Sequence, residues 1–200
     1  MHHLKELNDE IESQLPFSVK SVDNFDPGFY FGGSIQTIFY SKVLVGIIYQ
    51  YYTTGSRIGQ KDYSGYYAFD QITNGHFVGL EPGMIVFNKK VICIAAFVQG
   101  GALFSGIKMN EDLIVGEINN TDSRNLRAFS IAITPTVKAS IPIIHPLRCS
   151  LSLGRMIDTG GEVHLPKNKD AVLMINNSKV KTGWSGWRMA IELNINLMNH

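Results

Sequence analysis

The sequence is poor in the features by which many proteins declare their chemistry. Only two cysteines are present, Cys93 and Cys149, too few for a disulfide framework or a Cys-based zinc site. Basic and acidic residues nearly cancel, 18 Lys+Arg against 17 Asp+Glu for a net charge of +1. No dense basic cluster stands out, which argues against a nucleic-acid surface. No apolar run approaches the roughly 18 residues of a membrane-crossing helix. The start, Met-His-His-Leu-Lys-Glu-Leu, carries neither a signal-peptide apolar region nor a small-residue cleavage site. This leaves two expectations, a cytoplasmic protein or a chain whose export signal lies outside this sequence. No G-x-S-x-G nucleophile elbow, metal motif or cofactor motif occurs.

What is present is alternation. Hydrophobic residues make up 44% of the chain and mean hydropathy is near zero, but these averages hide a period of two. From 187 to 197, Trp187, Met189, Ile191, Leu193, Ile195 and Leu197 share one parity, and Arg188, Ala190, Glu192, Asn194 and Asn196 the other. That is a half-apolar β-strand of the length a tilted strand needs to cross a bilayer. The same pattern recurs upstream. Phe29, Phe31, Ile35 and Phe39 begin it, and Val43, Val45, Ile47, Tyr49 and Tyr51 follow. Val78, Leu80, Met84 and Val86 form a third strand; Ile92, Ile94, Ala96, Val98, Ala102 and Phe104 a fourth. Phe129, Ile131, Ile133, Pro135, Val137 and Ile141 oppose Ala128, Ser130, Ala132, Thr134, Thr136 and Lys138, and Leu147, Cys149, Leu151 and Leu153 complete the set. Cys93 falls on an inward parity and Cys149 on an outward one, which predicts free thiols.

Seven strands are visible, with short turns after the first, third and fifth and long connections at 53–74, 107–124 and 157–182. Outer-membrane barrels pair short periplasmic turns with long extracellular loops and hold an even number of strands. One rising strand is therefore expected to be missing from the amino end. The division predicted is 1–26, a segment with a short solvated amphipathic helix (Leu4, Leu7, Ile11, Leu15) ending before Pro16, and 27–200, an all-β domain.

The phase-locked strands from Gly28 to Leu197, the turn at Asn88 to Lys90, and the stretch Tyr49-Gln50-Tyr51-Tyr52-Thr53-Thr54-Gly55-Ser56-Arg57 leading into Lys61-Asp62-Tyr63-Ser64-Gly65 carry a resemblance. The chain resembles the small outer-membrane β-barrel family of Gram-negative bacteria, OmpA-like or OmpX-like, and in particular its Bacteroidetes-type porin-family members. The resemblance implies an antiparallel up-and-down transmembrane barrel of the eight-stranded type. It also implies residence in the outer membrane, contact with lipid and lipopolysaccharide, and no enzymatic role or cofactor. The ending Asn199-His200 departs from the family, where an aromatic residue is usual.

Residues of the polar parity would lie inside such a barrel, whose lumen at about eight strands is just filled by side chains. Glu81, Arg148, Arg188 and Glu192 are the charged members, with Gln50, Gln99, Asn194 and Asn196 beside them. A buried charge needs a partner, so they read as a lumen-plugging network or as an ion or proton path. The three long connections are candidate binding loops on a monomeric scaffold. Two other readings stay open. A soluble lipocalin-like barrel for an apolar ligand would invert the polarity, greasy side chains in. An outer-membrane lipid hydrolase would need a serine and a carboxylate beside His76, His145 or His164.

Overall fold

The computed structural model describes residues 2–15, 17, 19–25, 30–39, 42–61, 63, 65–89 and 91–197. Phe29, part of the turn near 41 and the Asn199-His200 ending lie outside them. Helix α1 (His2–Gln14) is followed by β1 (Lys20–Asn24), β2 (Tyr30–Phe39), β3 (Val43–Lys61), β4 (Gly65–Leu80), β5 (Gly83–Asn88), β6 (Cys93–Val115), β7 (Ile118–Ile144) and β8 (Leu147–Asp158). Six short strands come next: β9 (Gly161–Glu162), β10 (His164–Leu165), β11 (Asn168–Val172), β12 (Met174–Ile175), β13 (Ser178–Lys179) and β14 (Lys181–Thr182). The last strand, β15 (Gly186–Leu197), is the cleanly alternating one.

The long strands form one large, mostly antiparallel sheet that curls back on itself into a barrel-like ring. In order round the ring the ladders run β2, β3, β4, β6, β7, β8, β15 and back to β2. Two strands are interrupted. β1 and β2 pair successive parts of β3, at Lys20↔Gly59 to Asn24↔Ser56 and Tyr30↔Tyr52 to Phe39↔Val43. β4 and β5 both pair β3 and β6, and the break between them falls at Glu81-Pro82, where proline has no N–H to give a ladder. Where an eighth strand was expected, β15 pairs β2 directly and in parallel, from Glu192↔Gly32 to Leu197↔Thr37. An odd number of up-and-down strands can meet only this way, because the first and last then point in the same direction.

The predicted loops are largely strand. Residues 53–61 and 65–74 are the upper parts of β3 and β4, in register from Thr53↔Asn74 to Lys61↔Tyr66. Residues 107–124 are the tip of the β6–β7 hairpin, from Ile107↔Leu126 to Val115↔Ile118, turning at Gly116, whose φ of 58° favours glycine. They look like loop composition because polar residues fall on both faces, Ser56, Gln71 and Thr73 pointing inward beside Ile58, Tyr67, Phe69, Ile107 and Met109. Residues 157–182 fold into three small ladders, β9–β14, β10–β11 and β12–β13. Asn176 and Asn177, both at positive φ, turn the last of these.

The ring has two interiors. Toward the end carrying the short turns, the outward parity is apolar and exposed: Ile35, Ile47, Val98, Ile131, Leu153, Trp187, Met189, Ile191 and Leu193 among others. The inward parity there is largely polar and buried: Ser34, Gln36, Gln50, Gln99, Thr134, Ser150, Ser152 and Asn194. Toward the other end the pattern reverses. Ile58, Phe69, Ile107, Met109, Leu126, Val163 and Val180 form a conventional core, while the outer wall carries the Arg57–Asp70 pair (2.5 Å).

Helix α1 belongs to this second interior, a correction to its expected solvated position. Leu4 is fully buried, and Leu7, Ile11 and Leu15 pack on the same cluster. Asn8 donates to Ser56 Oγ (3.0 Å) and accepts from Gln71 Nε2 (2.7 Å), so the helix is bonded to the inner face of β3 and β4. Its apolar stripe has the 3.6-residue period of a half-buried helix. What covers that stripe is the mouth of the ring.

Candidate functional site: a charged layer sealed inside the ring

Three elements bring charge to one level of the polar interior. Lys138 points inward from the turn-end part of β7, between Ala95 of β6 and Ser152 of β8. Glu81 enters from the β4–β5 break, its backbone N–H donating to Gly46 O (2.9 Å). Glu192 enters from β15, in register with Ser150 of β8 and Gly32 of β2. Space for them depends on glycine at Gly46, where a Cβ would come within 2.8 Å of Gln36 Cγ and 3.2 Å of Glu81 Cγ.

Lys138 Nζ lies 2.6 Å from Glu81 Oε2 and 2.8 Å from Glu192 Oε2, and all three side chains are at most 1% exposed. The ammonium donates a hydrogen bond to Glu81; toward Glu192 Oε2 it makes an ion contact without hydrogen-bond geometry. The ring of Phe97 sits 4.9 Å from Nζ, adding a cation–π contact. Gln36 donates to Glu81 Oε1 (2.6 Å) and to Ser34 Oγ (2.9 Å). Ser152 donates to Glu192 Oε1 (3.0 Å), as does Gln50 (3.2 Å). Ser34 donates to Asn194 Oδ1 (2.6 Å), and Asn194 to Ser150. Lone charges at this depth would cost several kcal/mol each, and the amides and hydroxyls give the carboxylates the donors that water would otherwise supply.

Apolar layers close this one off on both sides. Leu44, Ile85, Cys93, Ala95 and Phe97 cluster toward the turn end. Ile48, Tyr52, Phe77, Leu103, Ala132, Met156 and Trp184 cluster toward the helix. Trp184 descends from the segment after β14, its indole N–H donating to Ser105 Oγ (2.9 Å) and its backbone N–H to Asp158 Oδ2 (2.9 Å).

Of the four charged residues expected in the interior, Glu81 and Glu192 meet, and they meet on Lys138 rather than on an arginine. Arg188 is turned toward the aromatic layer, its guanidinium 4.5 Å from the Tyr52 ring and 5.7 Å from that of Trp184, and bonded to the Trp184 carbonyl. Arg148 is half-buried near the turn end, opposite Asn194 and Pro142. Lys138 carried the same signal as the glutamates, an inward parity between Thr136 and Ser140. Alternation gives the face of a side chain, but its partner depends on the stagger of seven strands.

His76 Nδ1 lies 2.9 Å from the Tyr49 hydroxyl on the outer wall, His164 Nδ1 lies 2.9 Å from the Leu165 carbonyl, and His145 sits in the exposed turn between β7 and β8. Both cysteines are free, Cys93 buried inward and Cys149 half-buried on the outward parity. Chemically, then, the layer is a hydrogen-bonded charge cluster whose three charged side chains are at most 1% exposed. Comparison with family models, curated proteins and solved structures returned no match.

Proposed function

We propose that the chain is a non-enzymatic outer-membrane β-barrel, monomeric and plugged, that holds the far ends of β3, β4, β6 and β7 and the segment 157–182 outside the cell as a structural or binding surface. One observation carries this: the outward wall of the turn-end half is apolar all the way round. Its side chains on β2 to β8 and β15 include Phe31, Val45, Leu80, Val86, Phe104, Ile133, Leu151 and Ile195, all exposed, and among the described outward positions Arg155 alone is charged. Soluble monomers rarely expose apolar patches beyond a few hundred Å². Each large side chain left in water forgoes about 1.5–3 kcal/mol, so a continuous belt of them calls for a hydrocarbon solvent.

The parity also weighs against a carrier of apolar ligands, because the interior behind the apolar wall is polar and filled. The Lys138 layer and the Tyr52–Trp184 layer weigh against an open pore for the same reason. Rigid hairpin tips on such a scaffold suit recognition.

The test is insertion. Purified chain diluted from urea into phosphatidylcholine vesicles should enter the bilayer and resist carbonate extraction. Leu193→Arg, in mid-belt, should destabilise the inserted form by about 2–4 kcal/mol. A chain that stays folded and monodisperse in buffer without detergent or lipid overturns the reading.

A further inference from the structure

Just past the apolar belt, the outer wall has a cleft of about 560 Å³ lined by Arg127, His164, Lys169, His76, Phe104 and Gly106 together with their neighbours. Its floor is the ring pair Phe104–Phe129, with centroids 5.3 Å apart. The next outward pair along the same two strands is Gly106↔Arg127, so the guanidinium side chain starts about 7 Å beyond the rings. His164 of β10 is in register with Arg127, and the β10–β11 ladder brings Lys169 to the same opening. At Gly106 no atom lies within 4 Å of where a Cβ would be, which leaves the space between the ring pair and the cations open. Neither Arg127 nor Lys169 pairs with a carboxylate among the described residues, and no carboxylate lines the cleft.

We infer that this cleft holds the phosphate of a phosphorylated lipid headgroup in the leaflet facing the helix-capped end, an inference that rests on the membrane reading above. Two cations without counter-ions among the described residues, one a guanidinium whose fork matches two phosphate oxygens, sit where an apolar wall gives way to a polar one. A free anion would need only the charges. The cleft also opens downward onto Phe104 and Phe129, the wall along which a lipid's acyl chains would lie.

The full-length chain in detergent micelles, titrated with diphosphorylated lipid A and read by native mass spectrometry, tests this. Removing the phosphates from the lipid should weaken the adduct about tenfold or more, and so should the double variant Arg127→Gln/Lys169→Gln. Gly106→Phe keeps every charge and fills the open space; it should weaken the adduct comparably. Equal adducts in all variants overturn the inference, as does full displacement by an equal concentration of inorganic phosphate, which would make the cleft a free-anion site. Vesicle insertion run on the same variants separates the two claims. Chains that insert but bind lipid A indifferently sink this inference alone, while chains that do not insert sink the membrane reading and this inference with it.

Discussion

At the scale of single residues, Lys138 is the position on which the interior turns. Both Glu81 and Glu192 rely on it, at 2.6 and 2.8 Å. Removing one partner of a buried ion cluster leaves the other charges uncompensated, at a cost of about 3–5 kcal/mol, whereas removing all of them together can be nearly neutral. Lys138→Met should therefore lower the urea midpoint of the inserted protein sharply. The triple variant Lys138→Met/Glu81→Gln/Glu192→Gln should recover most of the loss, and a triple variant no more stable than the single one would mean that the charges are not coupled. A second residue reports on the other interior. Burial, with the Glu111 carboxylate nearby, pushes the Tyr67 hydroxyl up to about 12 from its ordinary value near 10. Below pH ~10 the group is neutral in both folded and unfolded chains and stability is unaffected. Between pH ~10 and ~12 the unfolded chain loses the proton while the folded one keeps it, so stability falls as pH rises. Tyr67→Phe should remove that part of the alkaline loss, measured as the difference in denaturation midpoint between pH ~9 and pH ~11.5.

Among the elements, the seam between β15 and β2 is the shortest joint in the ring among the described residues, and its parallel ladder is intrinsically somewhat weaker than an antiparallel one. Ile35 and Ile195 are in register across it and both face outward. With Cys93 and Cys149 replaced by serine, Ile35→Cys/Ile195→Cys should cross-link under mild oxidation and raise the unfolding temperature; no cross-link would mean that the ring is open there. Helix α1 is the other element under test. Leu4→Ala should cost about 2–5 kcal/mol as a fully buried deletion, with proteolytic sensitivity rising at the helix-capped end and not in the apolar belt. How far the sequence spoke follows from these cases. The strand faces were legible because period two needs no partner: Glu81, Gln99, Lys138 and Glu192 lie inside, as their parity requires. Closure of the ring by β15 on β2 was not, since pairing partners depend on register between strands some 160 residues apart. The segments 53–74 and 107–124 misled for a physical reason. The outward half of the code switches from apolar to polar where the outer solvent changes, and the strands continue through the switch. The helix misled likewise, because an amphipathic stripe announces that something covers it without saying what.

For the molecule as a whole, the two interiors mean two different solvents and two different denaturation chemistries. The accessible surface of 12231 Å² exceeds the roughly 9,400 Å² of a compact monomer of this mass, as an elongated shape would. Urea acts on the exposure of apolar and peptide groups to water, so in detergent the helix-capped half should open at a lower concentration than the belt. Proteolytic cleavage at α1 and the fluorescence of Trp187, which faces outward in the belt, can separate the two; a single coincident transition for both would mean that the halves unfold together. The same strands nevertheless run through both halves. β7 spans Ile118–Ile144, 27 residues, about 90 Å of extended chain, and β3, β4 and β6 likewise pass from one interior to the other without a break at the boundary. In mechanical terms these four strands are continuous rods joining the two halves. A load applied at the exposed hairpin tips is carried along the backbone into the plane of the belt instead of being absorbed at a joint, so what attaches to the tips is held by the embedded half as one body.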